Sequence, residues 1–432
     1  MWLELAGGDS ENQKQLKQPK PSGHQVTALS DGVDAHWSWG EPAIESIDWD
    51  AWDALLHSSG SASVFLESRM VQALLAAPDR YIAALQWFEA DRLVGLACVE
   101  DTCAESINLD GHLQSERPWF GWVSRRLHGK DGRFQFGVRV VGTVLGSGEH
   151  GQCWSKEIAE TRAHALLSQA VFQPLKVNGQ QVPRVVMVKD HPLLDQAPRR
   201  VLHPGWIPLE FDPEMIFHVN PDWKDFDDYM ADLKTKSRTK IKRILTLSEG
   251  FVLREWTLDD LQERAEELIA LYRRVYERSG FRLGSLHAAE LVTSKERWGE
   301  DFVVTGYELD GELRGFQCAY VGREETEAFF VGFDPELLKS HAIYQRMLVE
   351  FICLGVKRKS TRVNMGRTAL EIKSSVGALP RRLQCEVRFR NPLFHAVVSR
   401  YARGYTPVAT KLRQPWKADA KALSAHSEVH SF

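Results

Sequence analysis

Four side chains in one short polar stretch, Arg367, Thr368, Glu371 and Lys373, carry the clearest chemical potential in this chain. They lie just past a short apolar strand, Thr361 to Met365, and ligand sites of α/β proteins gather outside such strand ends. The Arg367 guanidinium is a rigid fork of donors suited to a phosphate or a carboxylate. Glu371 and Lys373 read either as acceptor-side chemistry or as a surface ion pair worth little. A second candidate, Asp190-His191, follows the strand Arg184 to Lys189 in the same way. It reads as an acid/base pair facing a cleft between two units, or as a His-Pro turn beside a capping Asp.

The elements that must position these residues run from Glu327 to Gly377. A continuous apolar strand (Phe329, Phe330, Val331) stops at Gly332 and Asp334-Pro335, and a helix is expected from about His341 to Leu354. That order sets helix N-terminal amides beside the end of a buried strand, a ready site for a phosphate-bearing ligand. No Lys-Ser/Thr or GxGxxG signature accompanies it, which excludes a P-loop and a dinucleotide fingerprint. A nucleotide-carrying acyl donor such as coenzyme A fits the pattern better.

Composition bounds the class. The chain has 432 residues, 43% hydrophobic and 26% charged, which allows two domains with cores of their own. A net charge of -4 argues against a dedicated nucleic-acid binder. No run approaches a membrane span, and Met1 to Ala6 leads into polar residues without the apolar core of a signal peptide. The six cysteines show no CxxC spacing and the histidines are dispersed, so free thiols in a reducing cytoplasm and no metal site are expected.

Two stretches repeat each other. Leu93, Gly95 and Cys98 align with Leu313, Gly315 and Cys318 in matching β-hairpin patterns. A strand ending in Val-Gly follows each, then a helix (about Ser155 to Phe172, and His341 to Leu354), then a closing strand. The expected fold is α/β with mixed sheets, in two related units. The boundaries read as a disordered tail over 1–32, a first unit over 33–203, a second over 204–415 and a flexible tail over 416–432. Between the units, Phe226, Met230, Leu233, Ser237, Ile241 and Leu245 fall on one helical stripe.

From about Trp223 to Pro407 the chain resembles the GNAT-type fold of FemAB-like and CelD-like acyltransferases. The segments that carry this are Lys234-Thr-Lys-Ser-Arg238, Leu271-Tyr272 to Phe281, Phe330-Val-Gly-Phe333, and Gly366-Arg-Thr-Ala-Leu-Glu-Ile-Lys373 with Gly377-Ala378. Trp49 to Asp190 resembles the degenerate first unit of such double-GNAT proteins. The resemblance implies transfer of an acyl group to an amine by direct attack in a ternary complex. It implies acyl-CoA as co-substrate, with no tightly bound cofactor; an acyl carrier or an aminoacyl-tRNA is the other donor. The donor's pyrophosphate is then expected against Leu338, Lys339, Ser340, His341, Ala342 and Ile343, with Phe333 ending the strand beside it. Lys339 and His341 stand where the family's phosphate loop is usually glycine-rich. Tyr344 and Tyr320 are the candidate proton donors, Arg367, Glu371 and His341 the other catalytic candidates, and Thr368, Lys373, Asp190 and His191 the acceptor-binding ones.

Three features leave the reading open. The basic run Lys234, Lys236, Arg238, Lys240, Lys242 and Arg243 suits an anionic membrane surface, a phosphate, or simply a solvated helix flank. The absence of sustained heptads disfavours tRNA. The aromatic residues Trp119, Phe120, Trp122, Phe134, Phe136, Phe329, Phe330 and Phe333 read mostly as core, with a subset available to line an acyl-chain channel. The expected acceptor is an amine on a lipid of sphingoid type or a cell-envelope precursor, handled in the cytoplasm or at the inner membrane face. A peptidyl transferase and a non-catalytic assembly module are the alternatives.

Overall fold

The computed structural model describes residues 22–77, 80–105, 135–148, 151–175, 183–193, 204–278, 286–402 and 411–417. Its strands are β1 (Gly23–Ala28), β2 (Val33–Trp39), β3 (Tyr81–Glu89), β4 (Arg92–Glu105), β5 (Gln135–Val141), β6 (Gln152–Trp154), β7 (Val185–Pro192) and β8 (Ile207–Glu210). They continue as β9 (Glu214–His218), β10 (Val252–Glu255), β11 (Phe302–Leu309), β12 (Glu312–Val321), β13 (Glu325–Phe333), β14 (Arg362–Asn364), β15 (Leu379–Arg381) and β16 (Leu383–Phe389). The helices are α1 (Glu41–Ser46), α2 (Trp49–Ser59), α3 (Ser68–Ala76), α4 (Glu160–Val171), α5 (Phe226–Asp232) and α6 (Thr235–Leu247). After them come α7 (Leu258–Tyr276), α8 (Ala288–Trp298), α9 (Leu337–Ser340), α10 (Ile343–Lys357), α11 (Leu370–Ser374) and α12 (Pro392–Ala402).

The repeat read from the sequence is a repeat of structure. β3–β4 and β11–β12 are hairpins, and each carries a register shift at the matching place, after Trp87 and after Tyr307. In each unit the next strand runs antiparallel to the hairpin, a helix follows, and the closing strand returns parallel: β5 with β7, and β13 with β14. Such a parallel return needs a crossover, which the helices supply. The result is two sheets, in the orders β1-β2-β3-β4-β5-β7-β16-β8 and β10-β11-β12-β13-β14-β9-β15.

Strand pairing divides the chain differently from a cut after residue 203. β8 and the late strand β16 both complete the first sheet, β16 lying between β7 and β8. One apolar cluster also spans both units, joining Trp52, Phe65, Met70 and Leu74 to Leu268, Tyr272, Leu291 and Phe316. Burying that shared surface makes each half depend on the other for its core.

Three further expectations are corrected. Gly23–Ala28, expected within a disordered tail over 1–32, is an edge strand paired with β2 along its length. Backbone pairing can hold such a polar strand that has little apolar surface to bury. Trp416, placed at the start of the C-terminal tail, is buried and stacks against Trp223. The Phe226-to-Leu245 stripe is two helices, broken where Leu233 bridges Trp416 and the Lys234 amide donates to Pro415. Ser279-Gly280-Phe281, Trp119, Phe120, Trp122 and Phe134 lie outside the described residues.

Candidate active site

The site begins where two parallel strands part. β13 and β14 pair only over Glu325↔Arg362, Thr326↔Val363 and Glu327↔Asn364, yet β13 runs on to Phe333. Beyond Glu327, alternate backbone groups of β13 therefore face a gap rather than a neighbouring strand. Ala328 to Val331 are half-buried, although they belong to an interior strand, while Phe316 to Val321 on the neighbouring β12 are buried. In the first unit β5 stays paired with β7 through Val141, its last residue, so no equivalent gap forms there.

Gly332 lets a helix close one side of β13. A Cβ there would sit 2.5 Å from the Tyr272 nitrogen on α7, so only glycine permits this contact. Past Phe333 the chain turns through α9 and enters α10. Ala342, just before α10, has φ 50, the left-handed conformation that a glycine usually supplies. Arg346 is the first amide of α10 to bond back, to the Ala342 carbonyl at 2.9 Å. The amides of Ile343, Tyr344 and Gln345 have no acceptor among the described residues and carry the positive end of the helix dipole.

The residues expected along this turn divide by environment. Lys339 and Ser340 are exposed and Leu338 half-buried, while the side chains of Phe333, Ala342 and Ile343 are buried. Ile343 thus offers its amide alone. His341 is half-buried, accepts or donates at Ser340 Oγ over 2.9 Å, and packs tilted against Phe251 with ring centroids 5.6 Å apart. Tyr344 is half-buried against Phe333, and its hydroxyl has no partner among the described residues. Burial raises its pKa, so it stays a proton carrier at neutral pH. Tyr320 is not comparable: its hydroxyl is bonded to Ser294 Oγ at 2.7 Å in the contact between the units.

At the closed end of the gap lies a cluster of buried ionisable groups. Glu327 is 3% exposed, and its Oε2 has no hydrogen-bond partner. Burial first, then the nearby carboxylates of Glu325 and Glu214, pushes its pKa well above the ordinary range. Glu214, also raised by burial, accepts from Arg381 and from Asn364 Nδ2 at 3.1 Å. Lys373 is 4% exposed and donates to the carbonyls of Arg367 at 2.5 Å and Gly366 at 3.2 Å. Burial lowers its pKa to about 7, against the pull of Glu327. Those carbonyls belong to a contorted loop in which Gly366, Thr368 and Ala369 all have positive φ. Two non-glycine residues in that region mark strain held by the surroundings.

The first unit holds that loop. Arg367 donates to Asp190, which is wholly buried and also accepts from the Gly148 amide at 3.1 Å and the Cys385 thiol at 3.1 Å. Asn364 Nδ2 reaches the Ser147 carbonyl at 3.2 Å. The glycine-rich Gly146-to-Gly151 stretch, described except for 149–150, thus packs its near end onto the end of β14.

Several sequence-level pairings do not hold. Glu371 is exposed and pairs with Arg413 on the surface, whereas Lys373 turns inward, so these two do not meet. A lysine two residues along a short helix points away from its neighbour's face. Asp190 and His191 are no acid/base pair: Asp190 is committed to Arg367, and His191 lies 6.1 Å from His164 instead. Thr368 is exposed. In the basic run, Lys234 is tied to the Gln414 carbonyl and Lys240 to Ser375 Oγ, both at 3.0 Å. Sequence reasoning missed Glu327, Glu214 and Asn364. The alternation Glu325-Thr-Glu327 at the head of an apolar strand was the available signal.

Among the described residues no group of three or more His, Cys, Asp or Glu could hold a metal, and no helix is long and apolar enough to cross a membrane. Residues 231–374 match the family model of the acetyltransferase (GNAT) domain. No curated protein matches the chain. Among solved structures it is similar to FemX, at 10% identity and TM-score 0.46, over 82% of this chain and 98% of that one. It is similar to the C-terminal domain of a putative lysylphosphatidylglycerol synthetase from Agrobacterium fabrum, at 8% identity and TM-score 0.43, over 82% and 96%. A tandem GNAT protein from the clavulanic acid biosynthesis pathway matches at 13% identity and TM-score 0.42, over 86% and 99%.

Proposed function

We propose that this chain, an N-acyltransferase of two GNAT-like units with its GNAT domain in the second, moves an acyl group from acyl-CoA to an amine. The observation that carries the reading is the parting of β13 from β14 just past Glu327 and Asn364, a gap the first unit lacks. A pantetheine arm can continue the sheet there by bonding the free backbone groups of β13. The diphosphate then falls beside the unbonded amides of Ile343, Tyr344 and Gln345, with Lys339 exposed nearby.

In this reading the amine attacks the thioester carbonyl directly; the C–N bond forms and the C–S bond breaks. Glu327, at the edge of the gap, accepts the proton lost by the amine. Burial and the neighbouring carboxylates raise its pKa, which makes it a stronger base than an exposed carboxylate. A β13 amide facing the gap steadies the carbonyl oxygen. The departing thiolate takes its proton from Tyr344. Lys373 leaves a positive or neutral group near Glu327 according to pH, which tunes the base rather than touching substrate.

The acceptor belongs, on this reading, to an amine with an apolar part, a sphingoid-type lipid or another envelope precursor being the concrete class. Titrating the protein with coenzyme A and following its thermal midpoint tests the donor half. A rise of several degrees at millimolar ligand is expected; an unmoved midpoint rejects the reading. Mass spectrometry of lipid extracts from cells with and without the protein tests the acceptor half.

A further inference from the structure

We propose that α12 seats the protein on an anionic lipid surface, its exposed side lying in the headgroup layer. The inference does not rest on the acyl-transfer reading, and it concerns a different surface from the basic run between Lys234 and Arg243. α12 is apolar on both of its sides. Inward, Val398 and Ala402 pack with Ile207 of β8 and Val387 of β16, and Phe394 meets Phe389 with ring centroids 4.8 Å apart. Outward, Leu393, Ala396 and Val397 follow helical spacing on the exposed side, with Leu393 79% and Val397 41% exposed. A single exposed leucine is ordinary. A second apolar side chain one turn along, on a helix whose other side is already packed, leaves an apolar face in water.

Charge decides what covers that face. Between Glu386 and Asp419 the chain holds seven Lys and Arg and no Asp or Glu, in a protein whose net charge is -4. Arg388, Arg390 and Arg400 of this stretch are exposed, and Arg400 stands two turns beyond Leu393 on the same side of α12. Arg388 lies over the Phe172 ring at 5.0 Å, and the Arg390 amide donates to the carbonyl of Arg184, itself exposed, at 2.9 Å. Four guanidiniums therefore gather around the apolar face. Glu210, the acid on the strand that α12 covers, is taken up by Arg382.

Hydrocarbon rimmed by cations suits a helix lying in a membrane interface, its apolar side chains below the headgroups and its guanidiniums on the phosphates. With 11 residues α12 is far short of a membrane span, so it rests on the surface rather than crossing it. A second copy of the chain would bring the same cations face to face, which like-charge repulsion opposes. An RNA would engage the cations and leave Leu393 and Val397 in water.

The test is sedimentation of the full chain with vesicles, of phosphatidylcholine alone and of phosphatidylcholine mixed with phosphatidylglycerol. Binding to the anionic vesicles should be roughly tenfold tighter or more, and should weaken as salt is raised. Leu393→Asp and Val397→Asp, at exposed positions, should each weaken it about tenfold. Arg390→Glu should weaken it about twentyfold, since it exchanges an attraction for a repulsion. Val252→Asp, at a comparably exposed apolar position on the edge strand β10 of the other sheet, should change nothing. Circular dichroism melts check that the variants fold. No binding to anionic vesicles, equal binding to both compositions, or binding untouched by Leu393→Asp overturns the proposal. A dimer that forms without lipid and is broken by Leu393→Asp also overturns it, and assigns the face to a second copy. Coenzyme A titration of the same variants should match wild type, so failure on vesicles leaves the acyl-transfer reading standing.

Discussion

Arg367, on the loop after β14, forms an ion pair with Asp190 at the far end of β7, although 177 positions separate them in the chain. Each looked like a catalytic candidate by itself, and together they read first as a strut between the units. Asp190 is wholly buried with donors from Arg367, Gly148 and Cys385 converging on it, and the strut fixes the loop whose carbonyls hold Lys373.

Removing one end of that strut should therefore cost stability. Arg367→Ala strands a buried carboxylate and is expected to lower the unfolding free energy by roughly 3–5 kcal/mol. Asp190→Ala should cost a similar amount, and the double variant clearly less than the sum. Urea unfolding of the three proteins measures this; strictly additive losses would show that the two residues do not act together.

Glu327→Gln separates catalysis from folding. It removes a carboxylate that burial already disfavours in its charged form, so stability should hold or rise slightly. Acyl transfer should fall by about 10²–10⁴-fold with the affinity for coenzyme A unchanged. Retained turnover in this variant would take Glu327 out of the mechanism.

Tyr344→Phe tests the thiolate side. It is expected to lower kcat and kcat/KM together, with coenzyme A binding intact, because the missing hydroxyl serves only the departing sulfur. An effect confined to KM would instead mark Tyr344 as a binding residue.

Lys373 gives a pH signature with a definite sign. Its folded pKa, about 7, lies below the ordinary value of 10.5, so the folded protein binds fewer protons than the unfolded chain between those values. Stability should therefore climb as pH rises from about 7 towards 10. Below pH 7 the buried ammonium is charged in both states, and its desolvation cost is fully felt. Compared with wild type, Lys373→Met should lack this climb in urea midpoints measured from pH 6 to 9.5. Parallel profiles for the two proteins would contradict the assignment.

Gly332→Ala should be severely destabilising, by roughly 3 kcal/mol or more, since the added methyl would fall 2.5 Å from the Tyr272 nitrogen. Thermal unfolding reports it directly, and a loss under 1 kcal/mol would mean that α7 does not rest on β13 as described.

Much of the architecture was legible in the residues. The paired hairpins around Gly95 and Gly315, the strand-turn-helix after Phe330 and the closing strands are local patterns, set by side-chain period and turn chemistry. The expected helix start near His341 is off by two residues, because Ala342 takes the left-handed conformation before α10 begins. What stayed hidden depends on partners far apart in the chain. Nothing near Leu383–Phe389 says that it pairs with β7, and nothing near Gly23–Ala28 outweighs its polar composition.

The site divides along the same line. Sequence alone determined that a helix start follows an apolar strand and that Arg367 and Lys373 stand beyond the next one, since these are neighbours in the chain. Only the tertiary structure decided what they do. It turned Lys373 inward and Glu371 outward, tied Arg367 to Asp190, and buried Glu327 beside the gap. The physical reason is that burial and charge pairing set a group's protonation and reach, and both are supplied by residues brought together by the fold, in the case of Asp190 and Arg367 from 177 positions apart.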